Sequence, residues 1–202
     1  MKSVLFICHG NICRSPMAEF IFKDLVRKSG VRVEGESLRQ AQRPLRQAQR
    51  PLRQAQRPVS QAAWPDRTDW SERTEVLDAV RVGSAAVSYE EEGNDIYPPA
   101  KRTLNAHGIP FSRHNAHRIS DAESSEYDVI VIMDTANKRL LSRILSPMNM
   151  SKVHMMMEYA GMASDVSDPW YTGDFEKTYR DITEGCKGLL ASLMNEKSGN
   201  NL

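Results

Sequence analysis

Apolar residues along this chain change their period several times, and each change marks an element. Lys2 to Ile7 ends in an unbroken apolar run and reads as a short buried strand. Between Arg14 and Ser29, Met17, Ala18, Ile21, Leu25 and Val26 recur at the spacing of one helical face. Pro16 suits the first turn of that helix, and Gly30 suits its stop. A strand passing at once into a helix is the first half of a βαβ unit. The pattern lapses after residue 33 and resumes near Ala79, where Val80, Val82 and Ala85 alternate as a strand. Pro98 to His107, closed by Gly108, predicts a helix, and Ser120 with Glu123 predicts a capping box on a short one. Val129–Met133 (VIVIM) is continuously apolar, as a strand inside a parallel sheet must be. Ala136 to Leu145 reads as a helix and Val153–Met157 as a fourth strand. Phe175, Tyr179, Ile182, Cys186, Leu189 and Leu193 line one stripe of a long last helix. Alternating strands and helices imply a single α/β domain with a four-stranded parallel sheet flanked by helices.

The lapse has its own signature. LRQAQRP occurs three times unchanged, at Leu38–Pro44, Leu45–Pro51 and Leu52–Pro58. A proline in every unit removes a backbone donor every two turns and rules out a continuous helix. Each unit carries two Arg and no acid, so the block repels itself and buries little. Residues 34–75 are therefore expected to be a disordered insertion in a domain made of residues 1–33 and 76–202. The other reading is a basic docking arm for an acidic partner, which Trp64 and Trp70 favour because aromatics are unusual in pure linker.

The chain has 202 residues and a formal net charge of +1, which demands neither a nucleic acid nor a membrane partner. Val4–Ile7 is too short for a signal-peptide core, and no run reaches the roughly 18 apolar residues of a membrane span. Cys8, Cys13 and Cys186 form no disulfide framework, which points to a reducing, cytoplasmic location. His, Asp and Glu do not cluster at metal-ligand spacing, so no metal or other cofactor is expected.

The stretch from Cys8 to Pro16 (CHGNICRSP) carries the chemistry. It lies between a strand and a helix, with Gly10 and Asn11 at the bend. Successive amides of His9, Gly10, Asn11, Ile12, Cys13 and Arg14 can form an anion nest at a helix N-terminus. The Arg14 guanidinium adds a planar fork that matches two phosphate oxygens. The same positive surroundings favour the thiolate of Cys8, which puts a nucleophile at the centre of an oxyanion cradle.

This stretch resembles the phosphate-binding loop of the low-molecular-weight protein tyrosine phosphatases, C-x-G-N-x-C-R-S-P, at every fixed position. The resemblance continues at Ser84–Ala86, His107–Pro110, Met133–Asp134 and Asp168–Tyr171 (DPWY), and covers the chain except the repeats. It implies strand order 2-1-3-4 and a metal-independent phosphatase acting on phosphotyrosine proteins. By the same resemblance Cys8 is the nucleophile, Arg14 and the loop amides hold the phosphate oxygens, and Asp168 is the general acid and then base. Ser15 stabilises the thiolate, Asn11 braces the loop, and His114 supports this network. Trp170, where the family often has Tyr, and Tyr171 are the expected walls for a flat substrate ring. Cys13 is either a filler or, as in members with this cysteine pair, a resolving thiol for oxidised Cys8. The family's arginine phosphatases tend to carry Thr where this chain has Ile12, and arsenate reduction would need a further cysteine pair. An idle phosphate-binding or adaptor module is the alternative from another class.

Overall fold

Strand β1 (Lys2–Cys8) lies in the middle of the sheet, and its residues Val4 to Ile7 are buried on both faces. The structure, a computed structural model, describes residues 1–35 and 77–195. β1 is followed by helix α1 (Arg14–Lys28) and a two-residue strand β2 (Arg32–Val33). The chain re-enters with β3 (Ala79–Ala86), α2 (Pro98–Ala106), α3 (Asp121–Ser124) and β4 (Val129–Ile132). It continues through α4 (Thr135–Leu141), α5 (Pro147–Met150), β5 (Val153–Met155) and a 3-10 turn at Met156–Ala160. Helices α6 (Pro169–Thr172) and α7 (Phe175–Asn195) complete the described chain.

All pairings are parallel, in the order β2-β3-β1-β4-β5. Leaving out the short edge strand, the chain order is 2-1-3-4, as the resemblance implied. The additional strand, β2, is too short to carry a period, and its pairing with β3 runs on by one bond where the Glu34 N–H donates to the Val80 carbonyl at 2.9 Å. The expected insertion, with its repeats and its docking-arm alternative, falls almost wholly on residues 36–76, outside the described residues.

The alternation along β1 sorts the core into two layers. Phe6 packs edge-on against Phe22 of α1 at 5.6 Å, in a layer with Met17, Leu104, Ile182 and Leu189. Leu5 and Ile7 point the other way, onto Ile119, Ile130, Ile132 and Leu141. Each fully buried side chain of this size contributes about 1.5–3 kcal/mol. Helix α7 sits close to the 3-10 turn because Gly185 and Gly188 face it. A methyl group on Gly188 would overlap the Tyr159 carbonyl, and one on Gly185 would overlap Met156. Glycine inside a helix costs about 1 kcal/mol in propensity; here it permits the close approach.

Side-chain caps set the short elements. Ser120, Asp134, Ser146 and Asp168 each accept a hydrogen bond from an N–H in the first turn that follows. At Ser120 one half of the predicted box forms, from Glu123 N–H at 3.1 Å, while the Glu123 carboxylate turns to His117 at 2.9 Å. Helix α4 ends at Leu141 rather than 145, and β5 ends where Met156 enters the 3-10 turn. Among the described residues no helix is long and apolar enough to cross a membrane.

Candidate active site

β1 has β3 on one side and β4 on the other, so the chain winds away in opposite directions from its C-terminal end. Crevices at such switch points are where α/β sheets hold ligands. Cys8 ends β1 there, and α1 starts at Arg14, so residues 9–13 form a loop over the sheet edge. The Cys8 and His9 carbonyls accept from Val87 and Ser88, and the Ile12 carbonyl accepts from Tyr97 at 2.9 Å. Asn11 adopts φ 57°, the left-handed region that Asn tolerates better than other side chains. Its N–H points at Cys8 Sγ, 3.3 Å away. The N–H groups of Gly10, Ile12 and Cys13 donate to no protein group among the described residues. At Gly10 a side chain would press on Glu91 Cγ at 2.9 Å.

A buried hydrogen-bond network holds this loop. Ser15 Oγ lies 3.1 Å from Cys8 Sγ and 3.3 Å from the Ala85 carbonyl. The Asn11 amide donates to Ser15 Oγ at 2.9 Å and to Ser84 Oγ at 3.0 Å. Ser84 donates to Glu19 at 2.5 Å, and Lys23 donates to the other Glu19 oxygen at 2.5 Å. On the far side, His114 Nε2 is 2.9 Å from the Asn11 carbonyl and 3.0 Å from Asn11 Oδ1. Both are acceptors, which assigns the proton to Nε2. Burial lowers the pKa of His114 and outweighs Glu19, Asp95 and the Asn11 carbonyl, which favour its charge.

Arg14 is the charged element of the loop and is almost wholly buried. Its Nη1 donates to Asp134 Oδ2 at 2.6 Å and its Nη2 to Asp168 Oδ2 at 2.5 Å. Burial works against its charge, but Cys8, Asp168 and Asp134 together raise its pKa further. The second Asp168 oxygen accepts from Trp170 N–H at 3.0 Å, so the carboxylate is fixed at the mouth of α6. Burial, and then the neighbouring Cys8, push the Cys13 thiol well up, which keeps it protonated. Cys186 is fully buried in the core.

The structure thus brings Cys8, Asn11, Arg14, Ser15, His114 and Asp168 together. Trp170 stands at the rim, 57% exposed, its ring 5.4 Å from Tyr97. Tyr171 is 85% exposed. His9 faces outward and pairs with Glu90 at 2.9 Å. Ile12 packs with Cys13, Ala116 and Tyr97. Sequence reasoning gave no role to Asp134, Ser84, Glu19, Lys23 or Tyr97. Asp134 did carry a signal, a helix cap directly after the most apolar strand.

The lowered pKa of His114 makes a signed prediction. Unfolded His114 takes up a proton near pH 6.5, whereas the folded residue resists it to lower pH. Its contribution to stability is whole above about pH 6.5 and declines as pH falls toward the folded pKa. His117, raised first by its hydrogen bond to Glu123, contributes with the opposite sign. Urea unfolding of the wild type and His114→Gln isolates the first effect. The stability difference between them should shrink from pH 7.5 to 5; a constant difference would mean that folding does not perturb this imidazole.

The sequence matches the family described as low molecular weight phosphotyrosine protein phosphatase over residues 3–76 and 71–199. A low molecular weight protein-tyrosine-phosphatase of Bacillus subtilis, YfkJ, is 31% identical over 98% of this chain and 99% of its own. The human low molecular weight phosphotyrosine protein phosphatase is 28% identical, over 94% of each chain. The crystal structure of YfkJ superposes with a TM-score of 0.71 at 30% identity, covering 98% of this chain and 97% of that one. With the loop geometry and the sheet order in agreement, this chain belongs to the low molecular weight phosphotyrosine protein phosphatase family.

Proposed function

We propose that this protein hydrolyses phosphotyrosine on protein substrates, and aryl phosphates generally, through a cysteinyl-phosphate on Cys8. The observation that carries this reading is the setting of the Cys8 sulfur. It receives the Asn11 N–H at 3.3 Å and faces Ser15 Oγ at 3.1 Å, in a loop that also carries the Arg14 fork. The names of the relatives support the same reading.

The steps follow from the groups present. The Cys8 thiolate attacks phosphorus in line, and the phosphorus–oxygen bond to the aryl group breaks. Arg14 and the loop amides hold the equatorial oxygens, where charge develops. Asp168 gives its proton to the departing phenolate, then takes one from the water that attacks the cysteinyl-phosphate. The sulfur–phosphorus bond breaks, inorganic phosphate leaves, and Ser15 steadies the returning thiolate. General acid–base assistance of this kind contributes about 10²- to 10⁴-fold. Phosphate and Asp168 draw on the same guanidinium. A phosphate dianion that takes the Arg14 N–H groups frees Asp168 to turn toward the leaving oxygen.

Tyrosine rather than arginine specificity is supported by Ile12, whose apolar side chain packs beside Tyr97 at the loop. Trp170 offers one face for the substrate ring. Cys13 is read as the resolving thiol: peroxide oxidises Cys8 to the sulfenic acid, and condensation with the Cys13 thiol releases water and forms a disulfide. Free thiols at all three cysteines suit a reducing cytoplasm.

In a metal-free assay, para-nitrophenyl phosphate should be turned over, and Cys8→Ser should reduce this to background; surviving turnover would exclude the cysteinyl-phosphate. Phosphotyrosine peptides should be cleaved faster than phosphoarginine peptides, and the reverse order would reassign the substrate. Asp168→Asn should slow aryl phosphates with poor leaving groups by about 10²-fold or more and those with good ones far less. An equal loss across the series would remove Asp168 as the acid. After peroxide treatment, recovery with thiol should drop in Cys13→Ala, and undiminished recovery would remove the protective role.

A further inference from the structure

The hydrogen-bond chain that begins at Cys8 does not end at the loop. It runs through Ser15, Asn11 and Ser84 to Glu19 and finishes at Lys23, one turn further along α1. Ion pairs at i,i+4 on an exposed helix face are common and worth little. This one is different, because the Glu19 and Lys23 side chains are only 11% and 16% exposed, and the ammonium also lies 5.4 Å from the Phe20 ring centre. Removing one partner of such a pair strands a charge in a poorly solvated place.

The chain has a direction. An ionised Glu19 accepts only, so Ser84 must donate to it. The Ser84 lone pairs are then presented to the Asn11 amide, whose other N–H goes to Ser15. Ser15 accepts there, and its single proton is offered to the sulfur at 3.1 Å in competition with the Ala85 carbonyl at 3.3 Å. His114 fixes the Asn11 carbonyl oxygen and prevents the amide from turning over. His114 and Tyr127 also sense the Glu19 charge, but burial holds both in their neutral forms. The cation that compensates Glu19 is Lys23.

We propose that Lys23 is a positioning residue for the nucleophile: its ammonium keeps Glu19 an acceptor and so aims the Ser15 O–H at the Cys8 sulfur. This inference rests on the reading of Cys8 as the nucleophile. Without Lys23, Glu19 either takes a proton, and its O–H then competes with the Asn11 amide for the Ser84 lone pairs, or remains as an uncompensated negative charge at the end of the chain that leads to the thiolate. Both outcomes disfavour the sulfur anion.

The test is the pH dependence of Cys8 alkylation by iodoacetamide, followed on the Cys8 peptide by mass spectrometry, alongside aryl phosphate kinetics. In Lys23→Met the midpoint should move to higher pH, with alkylation on the rising limb slowed about three- to tenfold, the effect of half to one pK unit. kcat should fall by a similar factor with KM nearly unchanged. Lys23→Arg should restore both, and so should Lys23→Met combined with Glu19→Gln, because the Gln carbonyl still accepts from Ser84 and carries no charge. Should Lys23→Met not fold, Lys23→Gln replaces it with the same expected shift. A variant that loses thermal stability while its Cys8 midpoint stays in place overturns the proposal, as does a double variant shifted as far as the single one. Absence of wild-type phosphatase activity would instead refute the proposed function and leave the alkylation comparison readable.

Discussion

At Asn11 the backbone turns left-handed, and the side chain of that same residue is held from both sides. Its amide donates to Ser15 and Ser84, while its carbonyl oxygens receive His114. The loop curvature and the orientation of the groups around the sulfur are therefore one constraint. A buried amide left without partners costs about 1–3 kcal/mol, so the network tolerates little slack. Because β1 and β3 pair in register up to Cys8 and Ala86, the loop starts from a fixed floor, and Ser84 and Ala85 come to it on the neighbouring strand. The rest of the site is arranged around that bend.

The electrostatics follow from the same enclosure. Arg14 is nearly shielded from water, and such a cation needs paired anions; Asp134 and Asp168 supply them. Those carboxylates belong to different elements, one capping α4 and the other capping α6. The guanidinium thereby ties the ends of two later segments to the start of α1. Two cysteines meet different surroundings: Cys8 is offered hydrogen bonds, and Cys13 is buried in apolar contacts that raise its pKa.

What the sequence made legible were features carried by consecutive residues. The loop from Cys8 to Pro16 is contiguous, and the strands and long helices announce themselves through their periods. The supporting network could not be read in this way. Asn11 reaches Ser84 and His114 across 73 and 103 positions, and nothing local distinguishes Glu19 and Lys23 from an ordinary surface pair. The short elements were missed for a related reason: β2, α5, the 3-10 turn and α6 span too few residues to show a period, and caps or tertiary contacts define them. Asp168 stood out through the family resemblance, while its hold on Arg14 became visible only in three dimensions.

One consequence of the sheet register concerns where the chain tolerates extra length. Arg32 and Val33 pair with Ala79 and Val80, at the level where β1 and β3 begin, whereas Cys8 is level with Ala86. Val33 and Ala79, the last paired residues on either side of the repeats, thus lie about 20 Å from the level of the sulfur along the strand direction. Widening that gap adds an entropic closure cost that grows only as the logarithm of the added residues. The paired residues that flank the repeats and the demanding geometry of the reactive loop therefore sit at opposite ends of β3.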